Sequence, residues 1–252
     1  MGPGRAHVSM SEHIGIVACS AEGAALCYRT LCTEAPGLLG RAYAHPEVSL
    51  HGHSFALYDE RIVRGDWAGV AELMLDSAGK LAAGGAQLLI CPDNTIHQAF
   101  PYLEGRSPLP WLHIAEVVAE EAVRRGFRKL GLTGTRWLVA SEVYPEKLGA
   151  RGIAWVRPSE ADRLECSRII MEELVNGRFL PASVRTFQEV IGRLKDAGCD
   201  AVVLGCTEIP LIISDANSPL PALDSTRLLA RAAIRRGMAS GTDALQSRLQ
   251  EK

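Results

Sequence analysis

The chain lacks several features that would direct a functional reading. No apolar run approaches the roughly 18 residues needed to span a bilayer. The opening MGPGRAHVSM has no apolar core of the kind a secretory signal needs, and reads as a disordered extension or cloning scar ahead of a native-like start at Met10. No Cys-x-x-Cys occurs, and the cysteine count of 7 is odd, so neither a disulfide framework nor a zinc ribbon is indicated. A net charge of −2 supplies no field for nucleic acid or an anionic membrane. No Gly-x-Gly-x-x-Gly follows a strand-like run, which argues against a dinucleotide site. Thiols without a pairing pattern point to a reducing, cytoplasmic setting, where most cysteines serve as small buried hydrophobes.

What is present is an α/β rhythm. The 252 residues are 47% hydrophobic and 22% charged, as in an ordinary globular chain of one large or two smaller domains. Strands are expected at Ile14–Ala18, Val48–Phe55, Leu88–Cys91, Lys129–Leu132, Ile153–Val156 and Ala201–Leu204. Helices are expected at Ala24–Leu31, Trp67–Ala83, Ile114–Arg125, Asp162–Asn176, Val184–Ala197 and Ser225–Arg236. Short, wholly apolar strands alternating with amphipathic helices imply parallel sheets covered on both faces.

Two segments are written twice. Residues 85–96, GAQLLICPDNTI, align without gaps on residues 198–209, GCDAVVLGCTEI, at an offset of 113. His13–Ser20 echoes Lys129–Arg136 at an offset of 116. Two echoes at nearly equal offset argue for duplication rather than chance likeness. The predicted architecture is two pseudo-symmetric parallel-sheet α/β domains with the active site in the cleft between them. The expected boundaries are 10–115 and 116–223, with a C-terminal helix at about 224–238 packing back on the first. No low-complexity linker separates the halves, so a substantial interface is expected. Ligands of such sheets sit beyond the carboxyl ends of the strands, where both duplicated turns lie.

At those turns Asp93 falls on Cys206. Asp93-Asn94-Thr95 suits a helix start, where free N–H groups attract an anion; it can equally be a simple cap. Cys206-Thr207-Glu208 is the matching turn. A thiol at a helix N-terminus is expected to have a lowered pKa, Thr207 to cap or bind an anion, and Glu208 to favour the helix dipole. An inert buried thiol is the alternative for Cys206. His51 and His53 share one strand face without further paired ligands, so no metal site is expected. His97 more simply orients the first turn.

These residues resemble the aspartate/glutamate racemase superfamily, in particular its aspartate racemase-like branch. Gly205-Cys-Thr-Glu-Ile-Pro210 is similar to that branch's second signature, and Asn94-Thr-Ile-His97 to the tail of its first. Further likenesses are Gly65-Asp-Trp67, His113-Ile-Ala115, Gly134-Thr-Arg136, Glu172-Glu-Leu174 and the segment from Pro221 to Asp224-Ser-Thr226, in the family's order, over about residues 12–238. The resemblance implies a cofactor-independent isomerase, with neither pyridoxal phosphate nor metal, whose two cysteines act as base and acid on opposite faces of a substrate α-carbon. It further implies a homodimer acting on a small amino-acid or dicarboxylate substrate.

The departure is informative. The first-signature cysteine is replaced by Asp93, and Cys91 lies two residues too early to substitute. Ala18-Cys19-Ser20 stands where relatives carry Gly-Gly-Met, Ser54 where Asp is frequent, and Leu229 where His is frequent. By the resemblance, Asp93 and Cys206 are the catalytic pair. Asn94, Thr95, Thr135, Thr207 and Ser20 contact the substrate, and Glu208 and His97 support the site. The leading expectation is a racemase of aspartate-, glutamate- or similar acidic amino acids. The alternatives are a single-cysteine decarboxylase or lyase of a substituted malonate, and a non-catalytic binding paralogue. A maleate-type cis–trans isomerase fits less well, because a carboxylate adds to an alkene less readily than a thiolate.

Overall fold

The computed structural model describes residues 12–250; the extension expected before Met10 lies outside the described residues. The first half contains β1 (Ile14–Ala18), α1 (Ala21–Leu39), β2 (Val48–Gly52), α2 (Phe55–Arg64), α3 (Trp67–Ala83), β3 (Leu88–Ile90), a 3₁₀ helix (Thr95–Tyr102), β4 (Trp111–Leu112) and α4 (Ile114–Arg125). The second contains β5 (Lys129–Gly134), α5 (Arg136–Ala140), α6 (Val143–Gly149), β6 (Ala154–Val156), α7 (Glu160–Arg168), a π turn (Ile169–Glu173) and a 3₁₀ turn (Leu174–Asn176). It continues through α8 (Pro181–Asp196), β7 (Ala201–Gly205), a 3₁₀ turn (Ile209–Leu211), β8 (Ala222–Asp224) and α9 (Ser225–Gln250).

Among the described residues the eight strands form two four-stranded sheets, ordered β2-β1-β3-β4 and β6-β5-β7-β8, and every pairing is parallel. This is the expected α/β class, with one sheet per half. The register reproduces the sequence echoes. Ile14 pairs with Leu88 in the first sheet and Leu130 pairs with Ala201 in the second. Ile14 and Leu130 are 116 apart, and Leu88 and Ala201 are 113 apart. Each copy enters its central strand through a glycine with left-handed φ, +93° at Gly85 and +83° at Gly198, a conformation that costs a side-chain-bearing residue.

The two halves share their interior. Ile14, Ile16, Leu88 and Ile90 lie in one buried cluster with Leu130, Leu132, Ala201 and Val203. The opposite strand faces feed separate clusters, Val17, Leu89 and Cys91 on one side and Val202, Leu204 and Cys206 on the other. Helices α4 and α9 complete the shared layer by crossing over. The former, which follows the first sheet, packs on α6; the latter, which follows the second sheet, packs on α1; and the two pack on each other.

Two expected elements differ. The strand expected at Val48–Phe55 stops at Gly52, and α2 starts at Phe55. Tyr58 and Ile62 on α2 are buried at helical spacing, and this packing overrides the β-like run before them. The helix expected at Asp162–Asn176 gives way to a π turn at Ile169. Widening the helix there lets Ile169, Ile170 and Glu173 all turn inward, where Glu173 accepts from Arg168 at 2.9 Å and from the Ser183 hydroxyl.

Candidate active site

The carboxyl ends of the two sheets converge on one cavity. Its lining includes Asp93, Asn94 and Thr95 from the turn after β3 and Cys206, Thr207 and Glu208 from the turn after β7. Ser20 and Thr135 complete the set of expected residues that reach it. The structure thus gathers eight of the predicted site residues into one place. His97 stands behind the first turn, buried, with its Nε2 donating to the Cys91 carbonyl at 3.0 Å. Burial holds the His97 imidazole neutral, with its pKa lowered to about 4.

Two hydroxyl pairs bridge the halves across this cavity. Ser20 caps α1 and Thr135 caps α5. Ser20 Oγ lies 3.4 Å from Thr207 Oγ1, and Thr135 Oγ1 lies 3.0 Å from Thr95 Oγ1. Each helix cap of one half therefore meets the duplicated polar turn of the other. A substrate carboxylate would exchange these pairings for its own oxygens at little cost, since hydroxyls can rotate.

Asn94 is placed differently from the substrate-binding part expected of it. Its Oδ1 accepts from the Tyr144 hydroxyl at 2.6 Å and its Nδ2 donates to Ser225 Oγ at 3.0 Å. Ser225 in turn donates to the Leu204 carbonyl at 2.8 Å. These groups are buried, so a ligand taking over the Asn94 amide would strand a partner. The Asn94 side chain ties the first-half turn to α6 and to the start of α9.

The two matching positions of the duplicated turns, Asp93 and Cys206, are electrostatically unlike. Asp93 is partly open to the cavity, and its Oδ1 accepts the Thr95 backbone N–H at 3.1 Å. Burial and the nearby Glu208 carboxylate push its pKa up to about 6, against a hydrogen bond from the Cys19 thiol and backbone N–H groups that hold it down. Cys206 is buried, and its thiol donates to Glu208 Oε2 at 2.8 Å, the same oxygen that takes the Thr207 hydroxyl at 2.7 Å. Desolvation and the Glu208 carboxylate raise the Cys206 pKa well above that of an ordinary thiol.

This corrects the expectation of a thiol lowered by a helix N-terminus. Cys206 leads into a three-residue 3₁₀ turn, too short for an appreciable dipole, and Glu208 folds back onto the sulfur instead of lying along a helix. Pro210 falls in the first positions of that turn. Likewise the first turn leads into a 3₁₀ helix whose Asn94 cap makes no side-chain capping bond.

Several residues in or beside the cavity carry no functional signal in the sequence. Cys19, a buried hydrogen-bond partner of Asp93 that does not itself line the cavity, stands out in the sequence only as a departure from Gly-Gly-Met. Phe55, Asp59 and Ile62 reach the cavity from α2, and Ile170 and Met171 reach it from the π turn. Cys91 is fully buried on the far side of β3, with Sγ 3.8 Å from the Asp93 carbonyl oxygen, and takes no place in the cavity.

A twinned parallel sheet with one polar turn per half is a framework shared with known proteins. The chain matches the family model Asp/Glu/Hydantoin racemase over residues 16–233 and belongs to that family. It is 22% identical over 191 residues to the broad specificity amino-acid racemase RacX of Bacillus subtilis, covering 75% of this chain and 81% of that protein. Among solved structures it resembles a candidate Asp/Glu racemase from Yersinia pestis (TM-score 0.81, 29% identity, 90% of this chain and 99% of that one). It also resembles an aspartate racemase homologue from Pyrococcus horikoshii (TM-score 0.76, 28% identity, 89% and 98%). The protein is accordingly an isomerase of the racemase class. Among the described residues no helix is long and apolar enough to cross a membrane.

Proposed function

We propose that the chain is a cofactor-independent amino-acid racemase in which Asp93 and Cys206 exchange protons with opposite faces of a substrate Cα. The observation that carries this reading is that the two residues hold equivalent places in the duplicated turns and line the same cavity.

The resting protonation states give the pair a direction. With its pKa near 6, Asp93 is largely ionised at neutral pH yet more basic than a solvated carboxylate, a useful position for a general base. Cys206 rests as the thiol, ready to donate. Asp93 takes the α-proton, the Cys206 S–H protonates the opposite face, and the product has inverted configuration. The reverse direction starts from the state that the forward step leaves, a Cys206 thiolate and a protonated Asp93. The thiolate takes the α-proton and the Asp93 carboxyl returns its proton to the opposite face. The Glu208 carboxylate beside sulfur disfavours the thiolate and so this starting state. Oxygen and sulfur differ in basicity, so the two enantiomers are turned over at different rates. Thr95, Thr135, Thr207 and Ser20 supply hydroxyls for the α-carboxylate. The homodimer and the cytoplasmic setting inferred from the sequence belong to the same proposal.

A decarboxylase acting on a substituted malonate is the weaker reading. Its dianionic substrate would have to enter beside the Asp93 and Glu208 carboxylates.

The test is proton–deuterium exchange at Cα in deuterated water, followed by NMR and chiral analysis. Both enantiomers of acidic, apolar and basic amino acids are screened with wild type, Asp93→Asn and Cys206→Ala. Loss of exchange by at least a hundredfold in each variant is expected. Undiminished exchange after Asp93→Asn would remove Asp93 from the chemistry. Binding without any exchange in wild type would make the chain a binding paralogue.

A further inference from the structure

The cavity between the halves has a composition that the catalytic reading leaves unused. Beyond the turns, its wall is apolar: Phe55 and Ile62 from α2 face Ile170, Met171 and Val175 from the π turn and the residues after it. Its charged lining is entirely acidic, Asp59, Asp93 and Glu208, and among the described residues no Lys, Arg or His lines it. The cations adjacent in sequence to lining residues do not line it: Arg61 donates to the Leu57 carbonyl at 2.8 Å, and Arg136 is exposed and stacks its guanidinium 4.5 Å from the centroid of Trp137.

Of the three carboxylates, two are occupied. Asp93 accepts the Thr95 N–H, and Glu208 accepts from Cys206 and Thr207. Asp59 has no hydrogen bond or ion pair among the described residues, although it is only partly exposed. It lies between Phe55 and Ile62 on one face of α2, at spacings of four and three residues, so its carboxylate stands directly beside the apolar wall.

We infer that Asp59 receives a cation carried at the end of an apolar substrate side chain, so that the substrate is a basic α-amino acid rather than an acidic one. This inference rests on the racemase reading and names its substrate class. A second carboxylate on the substrate would enter a cavity with three acidic groups and no counter-ion. A methylene stem ending in an ammonium or guanidinium matches both parts of the lining. The stem lies along Phe55, Ile62 and Met171, and the head pairs with Asp59, as long cationic side chains commonly bury their stems while the charge finds a partner.

The experiment compares kcat/KM for Cα exchange on lysine, ornithine and arginine with that on norleucine, which keeps a four-carbon chain without the cation, and on glutamate. Lysine or its basic relatives should exceed norleucine and glutamate by at least tenfold. Asp59→Asn should reduce the lysine-to-norleucine ratio at least tenfold, chiefly through KM, and Asp59→Lys should move the preference toward glutamate. Glutamate preferred by wild type, or lysine and norleucine used equally, would overturn the inference and leave racemisation standing. If wild type exchanges none of these, the racemase reading fails. Calorimetric titration of the same ligands then decides the inference by itself: lysine bound more tightly than norleucine and glutamate, with that margin lost in Asp59→Asn, supports it, and any other order overturns it.

Discussion

Replacing Asp93 by Asn should stabilise the fold at neutral pH while abolishing exchange. The carboxyl group rises from an ordinary 3.8 to about 6 in the folded protein, because burial and Glu208 disfavour its charge. At 1.36 kcal/mol per tenfold change, holding it ionised costs the native state roughly 3 kcal/mol. The sign follows from proton uptake. Between 3.8 and 6 the folded chain binds the proton more tightly than the unfolded chain, so stability falls as pH rises through that window. The penalty is nearly absent below 3.8, roughly 1 kcal/mol at pH 4.5 and complete above 6. Asn keeps an oxygen for the Thr95 N–H and carries no charge, so the variant escapes the penalty. Urea unfolding of wild type and Asp93→Asn at pH 3.5, 4.5 and 8 measures the gap directly. It should open from near zero to about 3 kcal/mol in favour of the variant, a large effect for a domain of ordinary stability. A gap that is independent of pH, or a variant less stable than wild type at pH 8, would refute the account of Asp93.

Three further outcomes are expected. In the direction where Asp93 takes the α-proton, kcat/KM should rise about tenfold per pH unit below about 6 and level off above it; a flat profile from pH 5 to 7 would count against Asp93 as the base. Tyr144→Phe leaves the buried Asn94 Oδ1 without its 2.6 Å donor and should cost about 1–3 kcal/mol in chemical denaturation; an unchanged midpoint would mean that the contact carries no weight. Gly205→Ala would place a methyl group 2.6 Å from the Thr133 carbonyl oxygen, where β5 and β7 approach just before Cys206. It should cost about 1–3 kcal/mol and lower activity, which thermal unfolding and exchange assays can check.

The parts of the fold that were legible in the sequence are those fixed by local constraints. A left-handed glycine, a short apolar run and a polar triplet recur at Gly85 and Gly198, and the sheet register repeats their spacing. Trp67–Ala83 and Ile114–Arg125 carry helical periodicity along their whole lengths, and both form over those residues. β4 has two residues and β8 three, too few for any period to emerge. α2 was hidden because a β-like run precedes it, and Asp59 was hidden with it. The protonation of Cys206 was not legible because it depends on Glu208 bending back to the sulfur, a contact that no spacing rule announces. The link from Asn94 to Tyr144 and Ser225 joins residues 50 and 131 positions apart, beyond the reach of local pattern.

The exchanged closing helices bear on how such a chain can be made and taken apart. Because α4 lies on α6 and α9 lies on α1, a chain severed between residues 126 and 128 would leave each fragment with one naked helix and one ownerless lid. Neither piece should survive by itself, whereas mixing the two should restore a folded heterodimer. The same reciprocity is what an ancestral pair of identical subunits would have produced by trading their last helices before fusion.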